Sequence, residues 1–368
     1  MKGHFSNYCY GYRVVSIAKS PTVKEDLIHD SLDFLSVEED AITLFPDILV
    51  LSREREVIDC FSNANNYDVF EVWPDGRFHL YYDDSSIDNY FFVTGKCNSN
   101  CIMCPSPAAA RKNSIEADIT NLIEIARHIP SYTPHLTITG GEPFLAGKKI
   151  FPFFSFLKEK FETTSFLVLT NGRAFAIKEY AMSMKETAPN DCVIAIPLHG
   201  ASSDLHDAIT RSPNSFTQTV VGIKRLIELG LRVEIRVVVS RLNAAVFPSI
   251  VDFIIRELQG IEYVSVIAME MTGDAYRNRD LVWIPYRQSF SMLASGIRKL
   301  ISHGIDTKLY NFPLCTVERC FWPLCEKSIS PTKVRYAPVC DRCEQKAACG
   351  GLFAGTVLLE MDELRAIL

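Results

Sequence analysis

Cys97, Cys101 and Cys104 stand in one short run, Gly95-Lys96-Cys97-Asn98-Ser99-Asn100-Cys101-Ile102-Met103-Cys104, and three thiols so spaced are candidate metal ligands. They are one short of the four that a structural zinc takes, and C-x3-C-x2-C is not the usual pair of C-x2-C ligands. A cubane iron–sulfur cluster held by only three cysteines keeps one iron open to an outside ligand. On the cysteines alone, a structural metal and such an open cluster both stand.

A second group, Cys315, Cys320, Cys325, Cys340, Cys343 and Cys349, crowds the C-terminal region, and so many thiols in so short a stretch also mean a metal. One further iron–sulfur cluster, or one zinc, needs four of them. Cys315, Cys340, Cys343 and Cys349 are the set we assign, because a hairpin after Cys315 can return the chain to the later trio. Zinc suits the Cys340-x2-Cys343 pair equally, so both metals stand, and Cys320 and Cys325 are left without a role. Only Cys9 and Cys60 lie upstream of the first group.

The elements that must position these residues follow from periodicity. From Phe91 to about Leu309, short β-branched or aromatic runs alternate with longer amphipathic stretches, the pattern of repeated β-α units around a parallel sheet. Six strands are predicted: Tyr90 to Thr94, His135 to Thr139, Ser165 to Thr170, Cys192 to Leu198, Arg232 to Val239 and Tyr263 to Met269. The fourth helix shows the logic, with Ser215 as N-cap, an apolar stripe of Val220, Ile223, Leu226 and Ile227, and Gly230 as its end. Right-handed crossovers roll such units into an α/β fold, a partial (β/α)6 TIM-like barrel. Gly140-Gly141-Glu142-Pro143, Thr170-Asn171-Gly172, His199-Gly200 and Glu270 to Gly273 all fall just past strand ends, the rim where such barrels assemble active sites. Turn chemistry explains any one of these glycines but not the whole set with its acids and amides.

Three regions result: a small β-containing N-terminal region over residues 1–86, the barrel over 87–309, and a cysteine-rich extension over 310–368. In the first, Val69 to Trp73 and Arg77 to Tyr82 flank Pro74-Asp75-Gly76 and read as a hairpin. In the last, periodicity breaks down, so ligands rather than a core of its own must hold it.

Composition narrows the classes. With 368 residues, 48% hydrophobic and 22% charged, and a mean hydropathy of +0.07, the chain is neither disordered nor fibrous. A net charge of −6 and a pI near 5.8 lack the basic excess that a dedicated nucleic-acid binder uses. The first twenty residues hold no apolar signal region and no run approaches about 18 apolar residues, so a cytoplasmic chain without a membrane span is expected.

The cysteine loop after the first strand, followed by Gly140-Gly141-Glu142-Pro143 after the second, resembles the radical S-adenosylmethionine superfamily. The resemblance implies two cofactors, a [4Fe–4S] cluster on Cys97, Cys101 and Cys104, and S-adenosyl-L-methionine chelating its open iron. An electron passed into the sulfonium then yields a 5'-deoxyadenosyl radical that abstracts hydrogen from the substrate. It further implies that Gly140 and Gly141 let backbone carbonyls approach the cofactor's ammonium, with Glu142 adding negative charge and Pro143 fixing the chain's exit. Thr170 and Asn171 would offer hydroxyl and amide groups to the ribose or carboxylate, or form a plain turn. His199 would touch ribose or adenine, or be a packing histidine. Glu234 and Arg236 alternate with Val233, Ile235 and Val237, so they aim into the barrel; Arg236 would meet the cofactor carboxylate, or the two would pair with each other. No catalytic acid or base emerges.

From Val193 onward the likeness narrows. Ile196-Pro197-Leu198, Val233-Glu234-Ile235-Arg236-Val237-Val238, Glu270-Met271-Thr272-Gly273, Tyr310-Asn311-Phe312-Pro313-Leu314-Cys315, Trp322-Pro323, Lys327-Ser328-Ile329-Ser330 and the closing cysteine run resemble the HxsC maturases of the His-Xaa-Ser peptide system. The likeness covers roughly residues 90 to 355. It implies a ribosomally made precursor peptide with His-Xaa-Ser repeats as substrate, a second radical SAM maturase as partner, and a flavodoxin- or ferredoxin-type reductant. An auxiliary cluster with four protein thiolates has no open iron and is expected to relay electrons. The rival readings are the same chemistry on a small metabolite or RNA base, and a non-catalytic protein whose metals staple loops.

Overall fold

The computed structural model describes residues 1–6, 8 and 10–368, so Cys9 lies outside the described residues. Upstream of the barrel, Lys2–His4 (β1), Arg13–Ala18 (β2), Phe34–Val37 (β3), Ile42–Phe45 (β4), Leu49–Ser52 (β5), Val69–Val72 (β6) and Arg77–Tyr82 (β7) form one sheet in the order β1-β7-β6-β2-β3-β4-β5. The predicted hairpin is β6–β7, closed by Gly76 at φ 82° and by a Trp73 amide donating to the Arg77 carbonyl at 2.8 Å. More surrounds it than a hairpin. Helix Pro21–His29 crosses between the parallel pair β2 and β3, and Phe5, Phe61, Phe70 and Phe78 give this sheet an apolar core separate from the barrel's. Ser16 Oγ meets His128 Nδ1 at 2.9 Å and Tyr82 meets Thr133 at 2.8 Å, tying the sheet to the barrel.

The barrel sheet is built from Tyr90–Phe92 (β8), His135–Thr139 (β9), Ser165–Leu169 (β10), Asp191–Pro197 (β11), Arg232–Val239 (β12), Tyr263–Ala268 (β13), Thr307–Tyr310 (β14) and Cys325–Glu326 (β15). Its eight strands lie side by side in chain order, each parallel to the next, and β8 and β15 are its free edges. The six expected strands are all present, and β14 and β15 extend the sheet beyond them. Neither shows in the periodicity because one spans four residues and the other two. The boundary expected between Leu309 and Tyr310 falls inside β14.

Alternation decides which face each strand buries. Leu136, Ile138, Phe166, Val168, Val233, Ile235 and Val237 turn outward onto helices such as Ile119–His128, Ile150–Lys160 and Ser215–Glu228, forming one continuous core. Thr137, Thr139, Glu234, Arg236 and Ser265 line the inner face. Helix Ser215–Glu228 is capped differently from expectation: Asn214, at φ 63°, is the N-cap and Ser215 is the first helical residue. Asp207 on the preceding helix provides the acceptor, taking the amides of Asn214 and Phe216 and the hydroxyl of Ser215, all at 2.7 Å.

Residues of the extension pack into the barrel's own core. Leu314, Phe321, Ala337, Leu352 and Leu364 join the barrel core. Helix Ala354–Glu360 docks by Gly355, where a Cβ would lie 2.0 Å from the Met271 carbonyl, and by Glu360, whose two oxygens each accept the Tyr286 amide at 3.1 Å. Among the described residues no helix is long and apolar enough to cross a membrane.

Candidate functional site

The three-cysteine loop leaves β8 at its C-terminal end and is clamped from two sides. On one side Arg111 donates to Asn100 Oδ1 at 2.6 Å, to the Ser106 carbonyl, and to Asp274 Oδ2 at 3.1 Å. Asp274 in turn accepts the Ala108 amide at 3.0 Å, its own amide donates to the Cys104 carbonyl at 2.9 Å, and Asn278 reaches the Ile102 carbonyl at 2.8 Å. On the other side Arg173 donates to the Asn98 carbonyl at 2.7 Å and Asn171 Nδ2 to Asn98 Oδ1 at 2.6 Å. The loop amides of Asn100 and Ile102 donate to the carbonyls of Thr210 and Ile209, each at 2.9 Å.

This clamping brings the three thiols close enough to perturb one another. Burial pushes all three upward in pKa, Cys101 to about 12, and the Arg111 guanidinium opposes the shift. Thiols in such a place favour the neutral form unless a cation displaces their protons, so the donor set fits a cationic iron core. Among the described residues no three Cys, His, Asp or Glu side chains converge on the single point that one ion requires. A cluster is ligated at separate irons and does not ask for that convergence.

The glycine-rich motif serves the loop. A Cβ on Gly140 would lie 2.4 Å from the Thr94 carbonyl, and one on Gly141 would lie 2.4 Å from the Lys96 carbonyl and 2.6 Å from that of Gly95. Bare backbone there lets the amide of Gly141 donate to Thr94 at 2.7 Å and that of Glu142 to Lys96 at 2.8 Å. Glu142, expected to add negative charge opposite the cofactor's ammonium, is engaged by the protein itself. It is 1% exposed, and its carboxylate takes the Thr170 hydroxyl at 2.8 Å, the Asn171 amide at 2.7 Å and the Phe144 amide at 3.1 Å. Burial raises its pKa, and these three donors only partly oppose the rise. Thr170 and Asn171 are thereby engaged in joining β9, β10 and the loop, more than the plain turn that was the alternative to cofactor contact. Pro143 opens the short helical segment that leaves β9.

Inside the barrel, Glu234 is 2% exposed and accepts the Tyr263 hydroxyl at 3.0 Å. Arg236 Nε stands 3.7 Å from Glu234 Oε1, so the two pair with each other at long range. No hydrogen bond of the Arg236 side chain is present among the described residues, and its side chain is 23% exposed. His199 is 3% exposed and stacks on His206 with ring centroids 5.5 Å apart. Its Nδ1 has no hydrogen-bond partner, and burial lowers its pKa to about 3, so it is a neutral imidazole.

In the extension, the hairpin strands Val334–Arg335 (β16) and Leu352–Phe353 (β17) pair antiparallel and hold Cys340, Cys343 and Cys349 on the connection between them. These three and Cys315 line one cavity. Cys320 and Cys325 do not line it. Cys320 is exposed, and Cys325 sits on β15, with burial pushing its thiol to about 12. No acidic side chain lines the cavity, while Arg335, Lys346 and Arg365 do.

Residues 91–254 match the family described as Radical SAM superfamily, and that span runs from β8 through the helix after β12, cysteine loop and glycine-rich motif included. That stretch is similar to a radical SAM domain. The solved structures agree on the fold. Streptococcus suis SuiB bound to the precursor peptide SuiA superposes with a TM-score of 0.51 at 14% identity, covering 68% of this chain and 53% of that one. SuiB bound to S-adenosylmethionine gives 0.50 at 14% identity, covering 69% and 53%. The chain thus spans about half the length of the SuiB chain. No curated protein matches the sequence.

A radical SAM domain works with S-adenosylmethionine and a [4Fe–4S] cluster, which the three half-buried thiols suit. The residues that sequence reasoning missed around the cysteine loop are the clamps Arg111, Arg173, Asp274 and Asn278. Nothing local marks them. Only Asp274 carried a faint signal, being next to the rim run Glu270 to Gly273.

Proposed function

We propose that this chain is a radical SAM maturase that modifies a ribosomally made precursor peptide of the His-Xaa-Ser repeat type by hydrogen abstraction. Cys97, Cys101 and Cys104 hold the [4Fe–4S] cluster, and the rim shaped by Gly140, Gly141 and Pro143 receives S-adenosylmethionine. When bound, that pair supplies one-electron cleavage to a hydrogen-abstracting radical. Arg236, without a hydrogen bond of its own, binds the cofactor carboxylate, and the unpartnered Nδ1 of His199 takes a hydroxyl or amino group of the nucleoside. Glu142, Thr170 and Asn171 act as positioning residues that hold the cysteine loop against β9 and β10.

The observation that carries this reading is the cavity lined by Cys315, Cys340, Cys343 and Cys349 in an extension sharing the barrel's core. We read it as an auxiliary [4Fe–4S] site. The inner face between β8 and β15 opens at a free sheet edge on each side, which suits a chain-like substrate. SuiB, with its precursor peptide, supports the same substrate class by its fold. A second radical SAM maturase and a flavodoxin- or ferredoxin-type reductant complete the proposed system.

The test begins with anaerobic reconstitution and reductant, which release 5'-deoxyadenosine if the reading holds. A synthetic peptide with His-Xaa-Ser repeats then binds and changes mass. Nucleoside release without peptide binding or modification, together with turnover of a small metabolite or an RNA base, overturns the substrate class. For the second site, Cys315→Ala loses one cluster's worth of iron and sulfide and Cys320→Ala keeps it. The opposite outcome refutes the ligand set.

A further inference from the structure

The cysteine loop is held from one side by elements that together make a continuous face. Helix Ser203–Thr210 presents the Ile209 and Thr210 carbonyls to the loop amides of Ile102 and Asn100. Asn278, which joins the short helices Gly273–Arg277 and Arg279–Val282, donates to the Ile102 carbonyl. The turn after β12 is fastened to that helix pair: the Arg241 amide donates to the Val282 carbonyl and its Nε to the Trp283 carbonyl, both at 2.8 Å. Beneath, Ile102 and Met103 pack with Ile209, Ala275 and Val282.

The charged side chains that this face turns to water are mostly cationic. Arg211, Arg241, Arg277 and Arg279 are exposed, against Asp204 and Asp280 as the exposed acids of the same elements, on a chain whose net charge is −6. Among the described residues Arg277 alone of the four has a carboxylate within ion-pair reach, and that acid, Asp274, is shared with the buried Arg111. Arg279 lies over the Tyr276 ring at 5.2 Å, and Tyr276 and Leu281 stay 47% and 54% exposed. Arg211 takes φ 48°, a left-handed conformation that glycine or asparagine adopts at less cost. Exposed aromatic and apolar groups ringed by arginine are the make-up of a protein-docking surface, and its charge selects an acidic partner.

An electron must reach the loop centre from outside, and its transfer weakens steeply with distance, so a donor protein has to seat against elements that touch the loop. We propose that this face, with Arg211, Arg241 and Arg279 as its charged contacts and Tyr276 and Leu281 as its apolar ones, docks an acidic one-electron carrier protein whose carboxylates surround its redox group. The carrier is oxidised by one electron and the loop cluster is reduced by it, with no bond made to or broken at the docking residues. This rests on the radical SAM reading above. The three arginines act on encounter and seating, and none touches the reacting atoms.

The experiment titrates oxidised flavodoxin into the anaerobically reconstituted full chain by calorimetry, and separately compares reduced flavodoxin with dithionite as the electron source for 5'-deoxyadenosine release. The triple replacement Arg211→Glu, Arg241→Glu and Arg279→Glu is expected to weaken flavodoxin binding about tenfold and to raise the flavodoxin concentration giving half the maximal rate by a like factor. The dithionite-supported rate and the iron content stay as in wild type. Added salt weakens binding to wild type more than to the variant, and lysine at the same three positions retains binding. Unchanged flavodoxin binding in the triple variant overturns the proposal, as does an equal loss of rate with both reductants. Loss of precursor-peptide binding in place of flavodoxin binding also overturns it, and makes the face a substrate surface. A wild type that releases no 5'-deoxyadenosine with dithionite overturns the radical SAM reading, whereas failure of the docking proposal leaves that release intact.

Discussion

Arg111 and Asp274 meet at 3.1 Å across 163 residues of sequence, and both side chains are buried. The pair joins the short helix Ala108–Lys112 after the cysteine loop to the short helix Gly273–Arg277 past β13, so a contact between distant parts of the chain fixes the path of the three thiols. A buried ion pair adds little net stability over an apolar pair of equal shape, yet removing one partner strands a charge.

Asp274→Ala is therefore expected to destabilise the fold by about 3–5 kcal/mol in denaturant unfolding, and to lower iron retention after reconstitution. The double replacement Arg111→Met with Asp274→Leu should recover part of the stability. A double variant as unstable as the single one would mean that the pair contributes something other than charge compensation.

Gly141→Ala puts a methyl group 2.4 Å from the carbonyl of Lys96, the residue before Cys97. The loop must move to admit it. Reconstituted Gly141→Ala is expected to hold less iron per chain than wild type while keeping its far-ultraviolet circular dichroism; full iron content would rule out the role given to this close approach.

Glu142→Gln replaces one acceptor oxygen with an amide NH2. With its oxygen kept toward Thr170 and Phe144, the NH2 group faces the Asn171 amide now donating at 2.7 Å. One buried N–H is left unmet, at a cost of about 1–3 kcal/mol. Thermal melting of the variant against wild type measures it.

Burial lowers His199 to about 3 and His206 to about 4 from the ordinary 6.5, with the neighbouring imidazole adding to the effect on His199. Below pH 6.5 the unfolded chain binds protons that the folded chain does not. Their contribution to stability is thus complete above 6.5 and declines as the pH falls toward 4 and then 3. Melting temperature should drop with acidification over that window, and less steeply in His206→Gln.

Glu360 has the opposite sign. Burial raises it from 4.5 to about 8, so the folded chain holds a proton that the unfolded chain has released. Its contribution is complete below pH 4.5 and declines as the pH climbs toward 8, by an amount on the order of a few kcal/mol. Glu360→Gln should remove this slope. The helix Ala354–Glu360 is the segment to loosen first, seen as lower amide protection factors there at pH 8 than at pH 6 once the intrinsic rise of exchange with pH is removed.

The six parallel strands and the outward stripe of Arg232–Val239 were legible from residue types alone. Side-chain alternation and helical spacing are short-range rules, and a run such as Arg232–Val239 obeys them wherever it is placed. The likeness carried by the C-x3-C-x2-C loop and Gly140-Gly141-Glu142-Pro143 rests on spacing of the same local kind. What those rules do not reach is which distant groups meet. That Glu142 faces Thr170 and Asn171, that Arg111 finds Asp274, and that Cys315 shares a cavity with Cys340, Cys343 and Cys349 while Cys325 joins the sheet edge all depend on how the curled sheet brings its strand ends together. Such contacts are chosen by the packing of the whole chain, and no window of neighbouring residues contains both partners.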